Sequence, residues 1–218
     1  MARRSAEFDG LKEVRSAAFQ LFGRYGYDGV SIEAIAKSAG TSKSALYWHF
    51  KNKQALFLDC LQELQHIYYG HIFEPMTRND DPRGAMILLF NGALKLLRDP
   101  RIQQGIAGYW LEAGSITPQE VLESHQAFNK KIISVLEGIL QAGAEQGAFH
   151  LEEPVKRLAK TIVSTLEALM LPLRGQTLSE KDELVGVLAG IMFRAHLQDN
   201  DLAKQAVELI YIDLEENT

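Results

Sequence analysis

The stretch SIEAIAKSAGTSKSALYWHFKNKQAL, residues 31–56, holds two short helical patterns joined by Ala39, Gly40, Thr41 and Ser42. Ser31 is placed to cap the first, with Ile32, Ile35 and Ala36 on one face and Glu33 in the opening turn, where a carboxylate suits the helix dipole. Gly40 is the turn residue, because it takes positive φ without a Cβ penalty. Thr41 or Ser42 can cap the second helix, which runs to Phe50, and Asn52 can cap a long following helix through about Phe73. Two short helices joined by a tight glycine turn fit the helix-turn-helix, whose second helix enters the major groove of DNA.

The chain on either side also reads as helix. Upstream, Leu11, Val14, Ala18, Leu21 and Tyr25 recur at offsets of three and four, a single stripe on a helix that ends near Gly26. Downstream, EPMTRNDDPRG (74–84) reads as a loop around Pro75 and Pro82, and Pro100 separates two helices. A helix begins at GSITPQE (114–120) with Pro118 near its first turn and runs to about Gly147. Pro154 opens the next, LPLRGQTLSE (171–180) ends it, and segments at about 180–197 and 201–214 close the sequence. There is no internal repeat, low-complexity tract or convincing strand. The predicted fold class is all-α: an N-terminal three-helix helix-turn-helix DNA-binding domain, residues 1–52, then a larger helical domain for ligand binding and dimerisation, residues 53–218.

Charge divides along the same line. Residues 1–55 carry nine Lys/Arg against five Asp/Glu, whereas the remainder carries 14 against 23, so a basic module precedes an acidic body within a chain of net charge −5. Such asymmetry suits a module that meets polyanions. With 218 residues and 46% hydrophobic content the chain can bury a sizeable core. Cys60 is the single cysteine, which excludes an intrachain disulfide framework and makes the reduced cytoplasm the simplest compartment. MARRSAEFDG has no apolar run to act as a secretory signal, and the longest apolar run, LVGVLAGIMF (184–193), is too short to span a bilayer.

Within the second short helix, Ala45, Leu46 and Phe50 are expected to pack inward, leaving Ser42, Lys43, Ser44, Tyr47, Trp48 and His49 to face outward. Hydroxyls and amines there can reach base edges and phosphates, and the aromatics add apolar contact with thymine methyls. Lys51 and Lys53 flank the start of the next helix, where the dipole is positive and a cation is locally unfavourable by roughly 0.3–1 kcal/mol. A phosphate docked on that helix start reverses the penalty, a reason to place DNA backbone there. The plainer reading is a glycine turn between two packing helices, with Tyr47 and Trp48 in the core.

SIEAIAKSAGTSKSALYWHFKNKQALFLDCL closely resembles the signature of the TetR family of bacterial transcriptional regulators, in I-x-x-I-A, A-G-T-S, L-Y-W-H-F, K-N-K and A-L. The resemblance covers roughly residues 10–61; beyond it only length and helical layout match. It implies a homodimer with two heads on a palindromic double-stranded DNA operator, usually a repressor released by a small molecule. Carried over by position, Ser31, Thr41, Ser42, Lys43, Ser44, Tyr47, Trp48, His49 and Lys53 become DNA contacts, with Tyr47 and Lys53 on phosphates. The family often has a carboxylate in the first turn of its fourth helix; NKQA lacks it, leaving Asn52 to cap alone.

In the body, the segments at about 154–172 and 180–197 are apolar across wide faces, with Ala168, Gly186 and Gly190 permitting close approach, and are the candidate homodimer interface. The alternative is packing within the chain. GIAGYWLEAGS (105–115) sets small residues beside Tyr109 and Trp110, as in a pocket for an apolar or aromatic ligand, with His66, Phe90, His125, Phe128 and Met170 on helices that could face it. Core packing is the competing role for each, and Glu112 could offer charge to a cationic ligand or face solvent. The six histidines, His49, His66, His71, His125, His150 and His196, include no i, i+4 pair, so no metal site is expected, and no cofactor. No phosphate loop or nucleophile elbow points to an enzyme. The expected function is a cytoplasmic, ligand-responsive DNA-binding repressor, nucleoid-associated when bound; the alternative is a DNA-bound structural or interaction protein with no inducer.

Overall fold

Polar side chains at three helix starts set the N-terminal architecture. Ser31 Oγ accepts from Ala34 N–H at 3.1 Å, Ser42 Oγ from Ala45 N–H at 3.1 Å, and Asn52 Oδ1 from Ala55 N–H at 2.8 Å. The computed structural model describes residues 2–110, 118–171 and 177–196, together with Lys204 and Glu208. Every regular element among them is helical: α1 (Ala2–Tyr25), α2 (Ile32–Ser38), α3 (Lys43–His49), α4 (Lys53–Tyr68), a π-helical turn (Tyr69–Phe73), α5 (Glu74–Thr77), α6 (Pro82–Arg98), α7 (Pro100–Gln103), α8 (Ala107–Trp110), α9 (Gln119–Glu145), α10 (Val155–Met170) and α11 (Leu178–His196). The all-α class with an N-terminal helix-turn-helix is what the sequence predicts. Among the described residues no helix is long and apolar enough to cross a membrane. The predicted closing helix at 201–214 and Glu112 lie outside the described residues, apart from helical Lys204 and Glu208.

The chain forms two compact units. The first takes residues 1–66 and 100–125, so it reaches past the boundary expected at residue 52 and gathers in α7, α8 and the start of α9. Here α1 packs against α2, α3 and α8, and a helix touched on several sides buries a broad arc. Val14, Ala17, Ala18, Phe19 and Phe22 are buried; the predicted stripe holds only at Val14 and Ala18, since Leu11 and Leu21 are half-buried and Tyr25 is exposed. An aromatic cluster fills the centre. Phe57 meets Phe22 edge-on at 4.9 Å, Tyr27 edge-on at 5.3 Å and Tyr109 at 5.4 Å between ring centroids. The Tyr109 hydroxyl donates to Phe19 O at 3.0 Å, and burial pushes that phenol and the neighbouring Cys60 thiol well up.

The glycines of GIAG have a different use from the one expected. A Cβ at Gly23 would collide with the carbonyl of Gly105, and one at Gly108 with the Phe22 carbonyl and the Gly26 amide. At Gly108 the missing side chain makes way for crossing backbone, and Gly105 sets its carbonyl against Gly23. Gly26 at φ 71° and Gly105 at φ 108° also occupy the left-handed region, which reserves both places for glycine.

The second unit takes residues 67–99 and 126–218 and is organised on α6. Asp81 caps that helix by accepting from Arg83 N–H at 3.2 Å and Gly84 N–H at 3.0 Å, with Pro82 at its first position. Most of its length is buried, against the π turn, α5 and α11. Gly92 permits this, because any Cβ there would strike the His71 carbonyl. The loop expected around Pro75 and Pro82 shrinks to Arg78–Asp81, since Pro75 sits in the first turn of α5, where it lacks only an amide the helix does not need. Likewise α4 ends at Tyr68 and the chain continues through the π turn into α5, instead of stopping at Phe73. His71 Nε2 lies 3.1 Å from buried Asp99, and Arg98 grips Asp182 of α11 with two hydrogen bonds of 2.9 and 2.7 Å.

Candidate nucleic-acid interface

The turn between α2 and α3 closes through two backbone bonds, from Thr41 N–H to Ala36 O at 2.9 Å and from Gly40 N–H to Lys37 O at 3.2 Å. This is a Schellman closure, and Gly40 at φ 63° fills its left-handed place. Nothing lies within 4 Å of where its Cβ would be, so conformation rather than space requires glycine. The turn sets α3 to bury Leu46 and, at its end, Phe50. Ser42, not Thr41, is the cap.

Ser31, Ser42, Lys43, Ser44, Tyr47, Trp48 and His49 are exposed, while Thr41 and Lys53 are half-buried. All nine residues belong to the first unit. Trp48 at 78% and Tyr47 at 44% exposure are not core, which removes the packing role for both. Ala45, expected inward, is exposed: a seven-residue helix resting on one flank has an inner face too narrow for a residue next to Leu46. The serine caps keep their hydroxyl protons for donation, because each Oγ accepts from the backbone.

Two of the cations have partners inside the protein. Lys43 Nζ pairs with Glu33 of α2, which raises the lysine's pKa and lowers the glutamate's, the hydrogen bond between them being the main cause in each case. Lys53 Nζ stands over the ring of Tyr27 at 4.3 Å from its centroid, and burial lowers its pKa. The cation at the start of α4 therefore has an aromatic neighbour, so a phosphate is not the sole account of its position. The sequence marks neither contact. The dipole of α2 already accounts for Glu33, and Tyr27 lies 26 residues from the lysine it touches.

The residues expected to line a ligand chamber are divided between the units. In the first, Tyr109 is committed to the aromatic core, Trp110 and His125 lie with ring centroids 5.3 Å apart, and His66 lines a half-open groove of about 750 Å³ between α1, α4 and α7. In the second, Phe90 is fully buried edge-on to Phe193 at 5.7 Å, Met170 is buried, and Phe128 is half-buried. Among the described residues no group of three or more His, Cys, Asp or Glu could hold a metal ion.

Residues 14–60, from α1 through the turn into α4, match the pattern described as "Bacterial regulatory proteins, tetR family". Residues 14–60 thus carry the TetR-family pattern, which takes in less than half of the chain. Among the similar curated proteins, the tetracycline repressor protein class A from transposon 1721 of Escherichia coli is 38% identical over 93 residues, 41% of this chain and 42% of that protein. The HTH-type transcriptional regulator RutR of Escherichia coli K12 is 37% identical over 49% of this chain and 64% of its own length. The matched stretches thus take in less than two thirds of either relative. The crystal structure of a gamma-butyrolactone receptor (ArpA-like protein) superposes with TM-score 0.72 at 20% identity, over 98% of this chain and 99% of that one, so the two share an all-helical fold.

Proposed function

We propose that this chain is a DNA-binding transcriptional regulator: a cytoplasmic homodimeric repressor, released from a palindromic operator by a small molecule. The observation that carries the reading is the outward face of α3. Leu46 is the helix's one buried residue, while Lys43, Ser44, Tyr47, Trp48 and His49 all stand in solvent. A large aromatic exposed among hydroxyls and cations has no role in folding and suits contact with bases and phosphates. Ser31, Thr41, Ser42 and Lys53 complete the proposed DNA contacts, and residues 1–52 form the proposed DNA-binding domain, ahead of a ligand-binding and dimerisation domain at 53–218.

Dimerisation through α10 and α11 draws support from exposed Leu184, Val187 and Ile191 on α11 and exposed Ala168 on α10. A two-fold dimer would carry its heads about 34–36 Å apart to meet successive major grooves. The ligand reading draws on relatives whose names speak of tetracycline and of a gamma-butyrolactone receptor. Phe90, Phe128 and Met170 in the second unit, and His66, Tyr109, Trp110 and His125 in the first, are the proposed ligand-contact residues, with Tyr109 acting through the core it anchors. Ligand lowers operator affinity by the difference in its affinity for the two states of the protein.

Selection of bound fragments from genomic DNA tests the reading. The expected result is enrichment of a palindromic sequence, with affinity falling steeply as salt rises. Binding that shows no preference among duplexes overturns it, and a panel of apolar and aromatic compounds that never releases the enriched fragment overturns the ligand part alone.

A further inference from the structure

Three cations of this unit are held by carboxylates, and Lys53 is not. Arg15 is held by Asp59 at 2.7 Å, Arg101 by Glu63 at 2.8 Å, and Lys43 by Glu33. Among the described residues no carboxylate lies within ion-pairing distance of Lys53; Asp28 favours its charge from beyond that distance, and the group it rests on is the face of Tyr27. That ring is itself fixed, at 6.4 Å and 17° to buried Phe22 and at 5.3 Å and 83° to buried Phe57. The backbone that delivers it turns at Gly26, in the left-handed region. A carboxylate would hold an ammonium by neutralising it, and an incoming phosphate would have to displace that carboxylate. An aromatic face holds the same ammonium and leaves its charge intact. The start of α4 adds to the effect, with no acidic residue in its first turn.

We propose that Tyr27 is a positioning residue for DNA binding: its ring holds the Lys53 ammonium beside the N-terminus of α4, ready for a backbone phosphate. This rests on the DNA-binding reading above. Tyr27 itself touches no DNA; it restricts the rotamers of a flexible side chain before binding, so less freedom is lost on contact.

The test uses the full-length protein and a mixed-sequence 30-base-pair duplex titrated over a range of salt. Lys53→Met is expected to weaken binding and to reduce the slope of log K against log salt by about one phosphate's share, roughly 0.9. Tyr27→Leu is expected to weaken binding about two- to fivefold while leaving the slope nearly unchanged, and Tyr27→Phe to restore affinity because it restores the ring. Adding Tyr27→Leu to Lys53→Met should cost nothing further. A second readout is independent of DNA: ¹³C-methylated Lys53, assigned by its loss in Lys53→Arg, should show a ring-current upfield shift in the wild-type chain.

Absence of that shift overturns the contact, even if Tyr27→Leu fails to fold. Equal weakening by Tyr27→Leu in the Lys53→Met background shows the ring acting through something other than the lysine and overturns the proposal. Wild-type binding with a Lys53→Met variant of unchanged affinity and slope overturns it while leaving the DNA reading intact. A wild-type chain that binds no duplex overturns both, and the methyl shift then reports whether the contact exists apart from any role in DNA binding.

Discussion

Leu46 and Trp48 are two residues apart on α3 and have opposite roles. Leu46 is fully buried, so Leu46→Ala removes core contacts and leaves a cavity, and it should lower stability by about 2–5 kcal/mol, visible as an earlier urea midpoint. Trp48 is 78% exposed, so Trp48→Ala should leave that midpoint within about 0.5 kcal/mol of wild type and weaken operator binding about tenfold or more. A large stability loss in Trp48→Ala would return the tryptophan to the core and undo the interface. In the second unit, Glu167 on α10 carries a buried Oε1 with no hydrogen-bond partner among the described residues, and burial pushes its carboxyl up to about 7. In the unfolded chain it titrates near the ordinary 4.5. Between these values the folded state holds the proton and the unfolded state has lost it, so this group's contribution to stability falls as pH rises from about 4.5 and levels off above about 7. Glu167→Gln abolishes the penalty. Partial exposure screens the charge, so urea melts at pH 8 should show the variant more stable by about 1–2 kcal/mol, with the two proteins alike at pH 4. A difference that stays constant between the two pH values would refute this account.

At the scale of elements, what the sequence revealed is what neighbouring residues decide. Ser31, Ser42, Asn52 and Gly40 act within three or four residues of themselves, and the structure uses them as caps and turn. Contacts made across the chain left no such trace. Tyr109 meets Phe19 across 90 residues and Arg15 meets Asp59 across 44, and the identity of either residue alone carries no record of its partner. The small residues at 105–108 are the sharpest instance, since an unfilled pocket and two backbones in contact require the same glycine. The distinction can be measured. Gly108→Ala forces a Cβ into the Phe22 carbonyl and the Gly26 amide, where backbone must give way, and should destabilise the protein by about 1–3 kcal/mol. Gly138, in α9, has nothing within 4 Å of its missing Cβ, so Gly138→Ala should stabilise by about 0.4–1 kcal/mol through helix propensity and a less flexible unfolded chain. Thermal melts of the two variants should move in opposite directions. A neutral Gly108→Ala would mean that α1 and the 105–108 segment are not locked together.

For the whole molecule, the question is what covers the outer face of α11. Leu184, Val187 and Ile191 recur at offsets of three and four and are all exposed, Val187 at 58% and Ile191 at 52%, although Val185, Ala189 and Phe193 of the same helix are buried. A helix apolar on both sides must find a second apolar surface or leave a patch in water. On α10 the exposed line Arg157, Thr161, Ser164, Ala168 is polar at its start and small at its end, which allows a neighbouring helix to come close near Ala168. In the proposed dimer a second copy of the same pair of helices would supply a matching surface by two-fold symmetry, since each copy would present the patch that the other lacks. Placing a charge in the middle of that patch, as in Val187→Asp, should shift the sedimentation coefficient from dimer to monomer at micromolar concentration while the far-ultraviolet circular dichroism is retained. Operator affinity should fall far more than in any single head variant, because each head then binds its half-site without the raised effective concentration that linkage to its partner provides. If Val187→Asp stays dimeric and binds as before, α11 is not the interface, and its apolar face must be covered by a different partner.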